Sequence, residues 1–153
     1  MDSSGYQPSV VDTRLFDALA YLGLCPFVIG LLIELVGVSF LGIGGRLFFS
    51  AYSAVILSFL CGIWWGGALN RPGHPHRMAL VFLSNLVALA GWVALLLYQT
   101  VWGLPILAVG FAFVAWMEAR LNPNLPGREQ YFRTRGIVTY LVIGCHLGMI
   151  VLL

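Results

Sequence analysis

Long apolar stretches separated by short polar connections make up most of the chain, and their lengths predict five membrane-crossing helices at about 18–40, 48–69, 78–98, 102–117 and 136–153. The fourth has only about 16 residues, some 24 Å at helical rise, so it is expected to thin the bilayer or borrow from its flanks. Within the second run Ser50, Ala54, Ser58, Gly62 and Gly66 recur four apart, leading to Asn70. Residues i and i+4 lie one above the other on a helix, and small side chains let another helix approach closely. This ladder predicts a packing hub. Gly62 and Gly66 are expected to pack within the chain, with Ser50 and Ala54 meeting another helix or subunit. On the first run Gly23, Gly30 and Gly37 are seven apart and share a face with Glu34, which predicts that this face looks into the bundle.

Composition supports lipid as the solvent. Of 153 residues 60% are hydrophobic and 9% charged, against about 25% charged in soluble domains. The expected architecture is therefore an all-α membrane protein: a bundle of five transmembrane helices over 18–153, preceded by a polar tail over 1–17. That tail lacks a signal-peptide pattern and is expected to stay on the mature protein. All eight basic residues are arginine, and five spans put the termini on opposite sides. With the N-terminus cytoplasmic and the C-terminus outside, Arg14, Arg71, Arg77, Arg120, Arg128, Arg133 and Arg135 lie inside and Arg46 alone outside. A net charge of +2, without a continuous basic face, argues against nucleic acid as a partner. Cys25, Cys61 and Cys145 sit in apolar runs and are expected to behave as small hydrophobes.

Candidate chemistry is sparse. Glu34 is an intramembrane carboxylate, a site candidate by default, with a structural role near Arg46 as the blander alternative. His146 falls near mid-depth in the last run, so Glu34 and His146 are candidates for a proton-linked pair; a neutral histidine bonded to a backbone carbonyl is the alternative. Asn85, Ser84 and Ser58 complete the polar intramembrane set and are expected to act as interhelical glue. His74 and His76 bracket Pro75, too few ligands for a zinc site, and no metal or cofactor is expected. The last connection carries Tyr131 with Arg128, Arg133 and Arg135, a combination suited to lipid headgroups. The glycines at 42, 44 and 45 are expected to form a flexible outer turn. No nucleophile elbow, zinc-protease motif or phosphate-binding glycine pattern appears, so no catalytic residues are assigned.

The block Tyr52, Ile56 to Leu60, Gly62, Trp65 and Gly66 resembles the signature of an uncharacterised membrane family, the domain of unknown function 3429 or transmembrane protein 69-like group. Similar agreement extends to Leu22 to Phe27, the Ser84 to Trp92 spacing, and Tyr131, Arg135 and Thr139. Departures fall at Trp64, Val87 and Gln130. The resemblance implies a multi-pass protein of a bacterial inner membrane or an organellar inner membrane, and implies no activity; the untargeted N-terminus favours the bacterial expectation.

Together these features predict a non-enzymatic binding, assembly or accessory component that contacts membrane lipids and a membrane-protein partner or a second copy of itself. The alternatives are a small oligomeric transporter or channel using Glu34 and His146, and a pocket for an apolar ligand such as a porphyrin, quinone or lipid.

Overall fold

A computed structural model describes residues 14–121 and 129–153, with side chains omitted at 121 and 129–132. Six helices follow in order: α1 (Arg14–Leu22), α2 (Cys25–Val36), α3 (Gly45–Asn70), α4 (Arg77–Leu96), α5 (Gly103–Leu121) and α6 (Glu129–Leu152). Among the described residues, five helical segments are long and apolar enough to cross a membrane, α1 and α2 counting as one over Arg14–Val36. The molecule is thus a transmembrane helix bundle, and its core sits where α3 meets α2, α4 and α5.

The first span differs from the expected single helix. Pro26 lacks an N–H and crowds the carbonyl four residues back, so the chain turns at Gly23–Leu24 and restarts at Cys25. In a bilayer a freed backbone carbonyl needs a partner. Tyr52 supplies one, its hydroxyl donating to the Gly23 carbonyl at 3.0 Å. The helix also starts earlier than the expected boundary, taking in residues 14–17 of the predicted tail, and it ends at Val36. Gly37 adopts φ 70° and closes a left-handed cap. It is a cap residue with no atom within 4 Å of a would-be Cβ, and not part of the packing face assigned to it.

The outer turn is ordered as a hairpin. Strands β1 (Ser39–Phe40) and β2 (Ile43–Gly44) pair antiparallel, joined by Leu41 and Gly42, both at positive φ, the geometry of a two-residue primed turn. Gly45 then opens α3 against α2. A Cβ there would lie 2.6 Å from the Gly30 carbonyl oxygen and closer still to the Glu34 backbone.

The small-residue ladder does not pack as expected. Ser50 and Ala54 are buried, whereas Ser58 and Gly62 are exposed and no atom comes within 4 Å of a Cβ built on Gly62 or Gly66. At 3.6 residues per turn, a four-residue step overshoots by about 40°, so five steps carry the ladder about 200° around the helix. The buried face follows a seven-residue repeat instead, with Ser50, Leu57 and Trp64 on one line and Ala54, Cys61 and Ala68 on the next. Seven residues drift by only about 20°. The glycine sockets lie on the neighbours: a Cβ at Gly91 of α4 would stand 3.3 Å from Leu57 Cδ2, and one at Gly110 of α5 would stand 2.8 Å from it. Leu57, fully buried, is the knob between them. Of the first-span glycines, Gly30 does receive α3, with Phe49 Cβ at 3.1 Å from its would-be Cβ. Gly23 packs mainly on its own turn.

The fourth span is longer than predicted. Helix α5 continues through Glu118 because that carboxylate has an ionic partner on α6. Helix α6 in turn begins inside the segment expected to be a loop.

Candidate functional site

Two ends of the bundle collect the polar groups. At the hairpin end, Glu34 Oε2 accepts a hydrogen bond from the backbone N–H of Arg46 at 2.8 Å. Gly44, the residue before α3, offers no side-chain cap. The carboxylate of α2 therefore satisfies one of the open N–H groups of α3 and meets the positive end of its dipole. The Arg46 side chain turns elsewhere and donates to the Thr100 carbonyl at 2.7 Å, tying in the α4–α5 turn. Glu34 is thus a structural carboxylate held near Arg46, through backbone rather than guanidinium.

His146 does not join it. The imidazole is fully buried among Phe27, Phe49 and Phe111, with ring centroids 5.9, 4.8 and 5.2 Å away. Its Nδ1 lies 2.8 Å from the Val142 carbonyl of its own helix. Among the described residues no hydrogen bond links Glu34 and His146. Asn85 is exposed and donates to the Val81 carbonyl one turn back, and Ser58 is exposed. Ser84 is buried but also bonds Val81. The predicted polar set is dispersed: Glu34, Asn85, Ser84 and His146 Nδ1 each bond a nearby backbone group, Ser58 is exposed, and His146 Nε2 is buried without a partner among the described residues.

The opposite end holds a constellation that motif and spacing arguments missed. Trp64, at the end of the buried α3 face, donates its indole N–H to Glu118 Oε1 at 2.9 Å. The same oxygen lies 2.5 Å from Nη2 of Arg135. The Glu118 and Arg135 side chains are only 13% and 6% exposed, so three helices converge on a buried ion pair. Arg135 was expected at lipid headgroups; its guanidinium turns inward because Glu118 is the acceptor within reach. Arg133, two residues earlier, is exposed and remains free to meet headgroups. Arg128 lies outside the described residues, as does the side chain of Tyr131. Nearby, Arg120 stacks over the Trp116 ring at 5.7 Å, a cation–π contact at the membrane boundary.

Arg135 borders two cavities. The smaller, about 160 Å³, is bounded by Trp64, Glu118, Arg71, His74 and Asn70 at the ends of α3, α5 and the α3–α4 turn. The larger, about 410 Å³, lies between α1, α3 and α6. Its walls are apolar, Phe16, Phe27, Ile56, Phe59 and Val138 among them, and its polar members are Arg135, Thr139 and Tyr52. Gly23 and Tyr52, joined by the hydrogen bond at the α1–α2 break, both line this space. Among the described residues no group of three His, Cys, Asp or Glu stands close enough to hold a metal ion. The pair His74 and His76 have rings 6.0 Å apart, with His76 N–H donating to His74 Nδ1 at 3.2 Å.

A transmembrane helix bundle with a lateral cavity between α1, α3 and α6 is the class the geometry defines. The model of the family described as Protein of unknown function (DUF3429) matches residues 13–151, and the chain belongs to that family. It is similar to Transmembrane protein 69 of Xenopus tropicalis, 32% identical over 105 residues, which cover 66% of this chain and 40% of that protein. The chain therefore spans well under two thirds of that relative's length. No solved structure matches.

Proposed function

We propose that the protein is a non-enzymatic membrane component that holds an amphipathic small molecule in the cavity between α1, α3 and α6. One observation carries this reading: an apolar space of about 410 Å³ bordered by one buried arginine. Small-molecule sites occupy roughly 300–1,000 Å³, are mostly apolar, and carry a few placed polar groups. In helix bundles they form between facing helices. A proton-linked transport route through Glu34 and His146 has less support, since each of those side chains takes a separate local partner.

The arginine distribution supports an orientation. Arg14, Arg71, Arg77, Arg120, Arg133 and Arg135 belong to the cavity end of the helices and Arg46 to the hairpin end. By the positive-inside rule the cavity end and the N-terminus face the cytoplasm and the C-terminus lies outside. The membrane we propose is a bacterial inner membrane, with an organellar inner membrane as the alternative.

An assembly role draws on a different observation, the outward face of α3 at Ser58, Gly62 and Gly66, where a second helix finds room for close contact. Native mass spectrometry after purification in a mild detergent separates the two. The proposed role predicts one retained small molecule per chain. A bare chain overturns it, and a retained protein partner with an empty cavity favours assembly.

A further inference from the structure

Arg135 is the feature of the larger cavity that packing alone does not account for. The residue is 5% exposed, and its Nη2 faces Glu118. Its Nε and Nη1 are buried and have no hydrogen-bond acceptor among the described residues. A guanidinium carries five N–H donors in a rigid planar fork suited to a carboxylate or a phosphate. Glu118 engages one edge, leaving donors that a ligand oxygen satisfies.

Among the described residues the charges around the smaller cavity do not cancel. Arg71 and Arg135 border the smaller cavity with a single carboxylate, Glu118, and that carboxylate also accepts from Trp64. One Arg71 nitrogen, Nη2, is likewise buried without an acceptor. The two guanidinium groups face one carboxylate across a low-dielectric gap, and one further negative charge balances these three side chains.

The far end of the cavity has the opposite character. The Tyr52 hydroxyl is already donated to the Gly23 carbonyl, and Phe27, Phe111 and Ile56 surround it with hydrocarbon. From Ile63 to Tyr52 the wall on α3 runs about 16 Å at helical rise. The polarity is therefore graded: cationic donors at the boundary beside exposed Arg133, apolar rings toward mid-membrane.

We infer that the cavity binds an anionic amphiphile, its carboxylate or phosphate on Arg135 Nε and Nη1 and its apolar tail along Ile56, Phe59 and Val138 toward Tyr52. This rests on the cavity reading above and adds the sign and position of the head. A free fatty acid and an anionic phospholipid share this chemistry.

Purified full-length protein in a neutral maltoside detergent, titrated with oleate and with oleyl alcohol, isolates the head from the tail. Oleate is expected to bind at least about tenfold more tightly, the worth of one charge-assisted hydrogen bond. Equal affinities overturn the headgroup inference and leave the cavity reading standing. The paired variant Arg135→Gln with Glu118→Gln keeps the ion pair's net charge and buries no lone ion; it is expected to bring oleate down to the alcohol's affinity. An undiminished oleate preference in that variant overturns the role of Arg135. Val138→Trp fills the cavity and is expected to abolish binding of both, and unchanged binding of both would sink the cavity reading itself. To separate the sources, nanodiscs containing phosphatidylglycerol, phosphatidylcholine and oleate are examined by native mass spectrometry. Retention of oleate or of phosphatidylglycerol supports the inference and names the source. Retention of phosphatidylcholine in preference to both contradicts it.

Discussion

Helix α3 meets a carboxylate at each end, and the two are used in opposite ways. At the hairpin end Glu34 is absorbed into the backbone: it caps the first turn of α3, Gly45 presses on α2, and Arg46 fastens the α4–α5 turn. Among the described residues one guanidinium nitrogen there, Arg46 Nε, is buried without a partner. At the other end Glu118 satisfies Trp64 and one nitrogen of Arg135, yet donors on Arg135 and Arg71 stay unmade beside two cavities. Burying an ion pair is poor value for stability alone, because desolvation offsets much of the attraction. The contrast assigns stability to the closed end and binding to the open one.

The largest effect expected is at the closed end. Gly45→Val drives a side chain into the backbone of Gly30 and Glu34, where no rotamer relieves the clash, and folded yield by size-exclusion chromatography should collapse. A monodisperse Gly45→Val protein would show that the α2–α3 contact is looser than described. At the open end Glu118→Ala leaves a buried arginine alone and should cost about 3 kcal/mol in a denaturant titration. The paired glutamine variant should cost clearly less, since no uncompensated charge remains, and an equal cost would mean that packing rather than charge governs this end. Returning to the closed end, Glu34→Ala removes one cap and should cost about 1 kcal/mol. A loss as large as that of Glu118→Ala would erase the distinction between the two carboxylates.

Smaller effects sharpen the same contrast. Leu41 is 86% exposed and holds φ 51°, a left-handed conformation that disfavours side chains by about 1 kcal/mol. Leu41→Gly should therefore raise the thermal midpoint slightly. Gly62→Leu, which the ladder argument expects to be ruinous, should change monomer stability by less than about 0.5 kcal/mol, because no neighbour occupies that face. A severe loss would restore the ladder as a packing surface.

The helices were largely legible from apolar run lengths, because a bilayer demands both span and hydrophobicity. The hub was legible as a helix but not as a face. Counting in fours followed Ser50 to Gly66 around to lipid, whereas the buried line through Ser50, Leu57 and Trp64 steps in sevens. Small residues were sought on α3, while the functional pair is a large knob on α3 and glycines at 91 and 110 on its neighbours; which partner carries the hole is decided only when helices are brought together. Glu34 was legible as a structural group near Arg46. Its hydrogen bond went to a backbone N–H because the helix start, and not the arginine side chain, is what the hairpin delivers to it. Arg135 was expected at lipid headgroups, and its pairing with Glu118 escaped notice because each stands near the edge of an apolar run, where charges are commonplace. Their opposite signs at adjacent ends of consecutive spans, with a tryptophan at the same level of α3, were the available signal.

Photocrosslinking in native membranes tests the division between ends most directly. A benzophenone side chain placed at Ile56, on the cavity wall, is compared with one at Leu35, which is 64% exposed on α2 near the hairpin. The account predicts one small-molecule adduct of uniform mass at Ile56 and a spread of bulk-lipid adducts at Leu35. The same spread at both positions would contradict it.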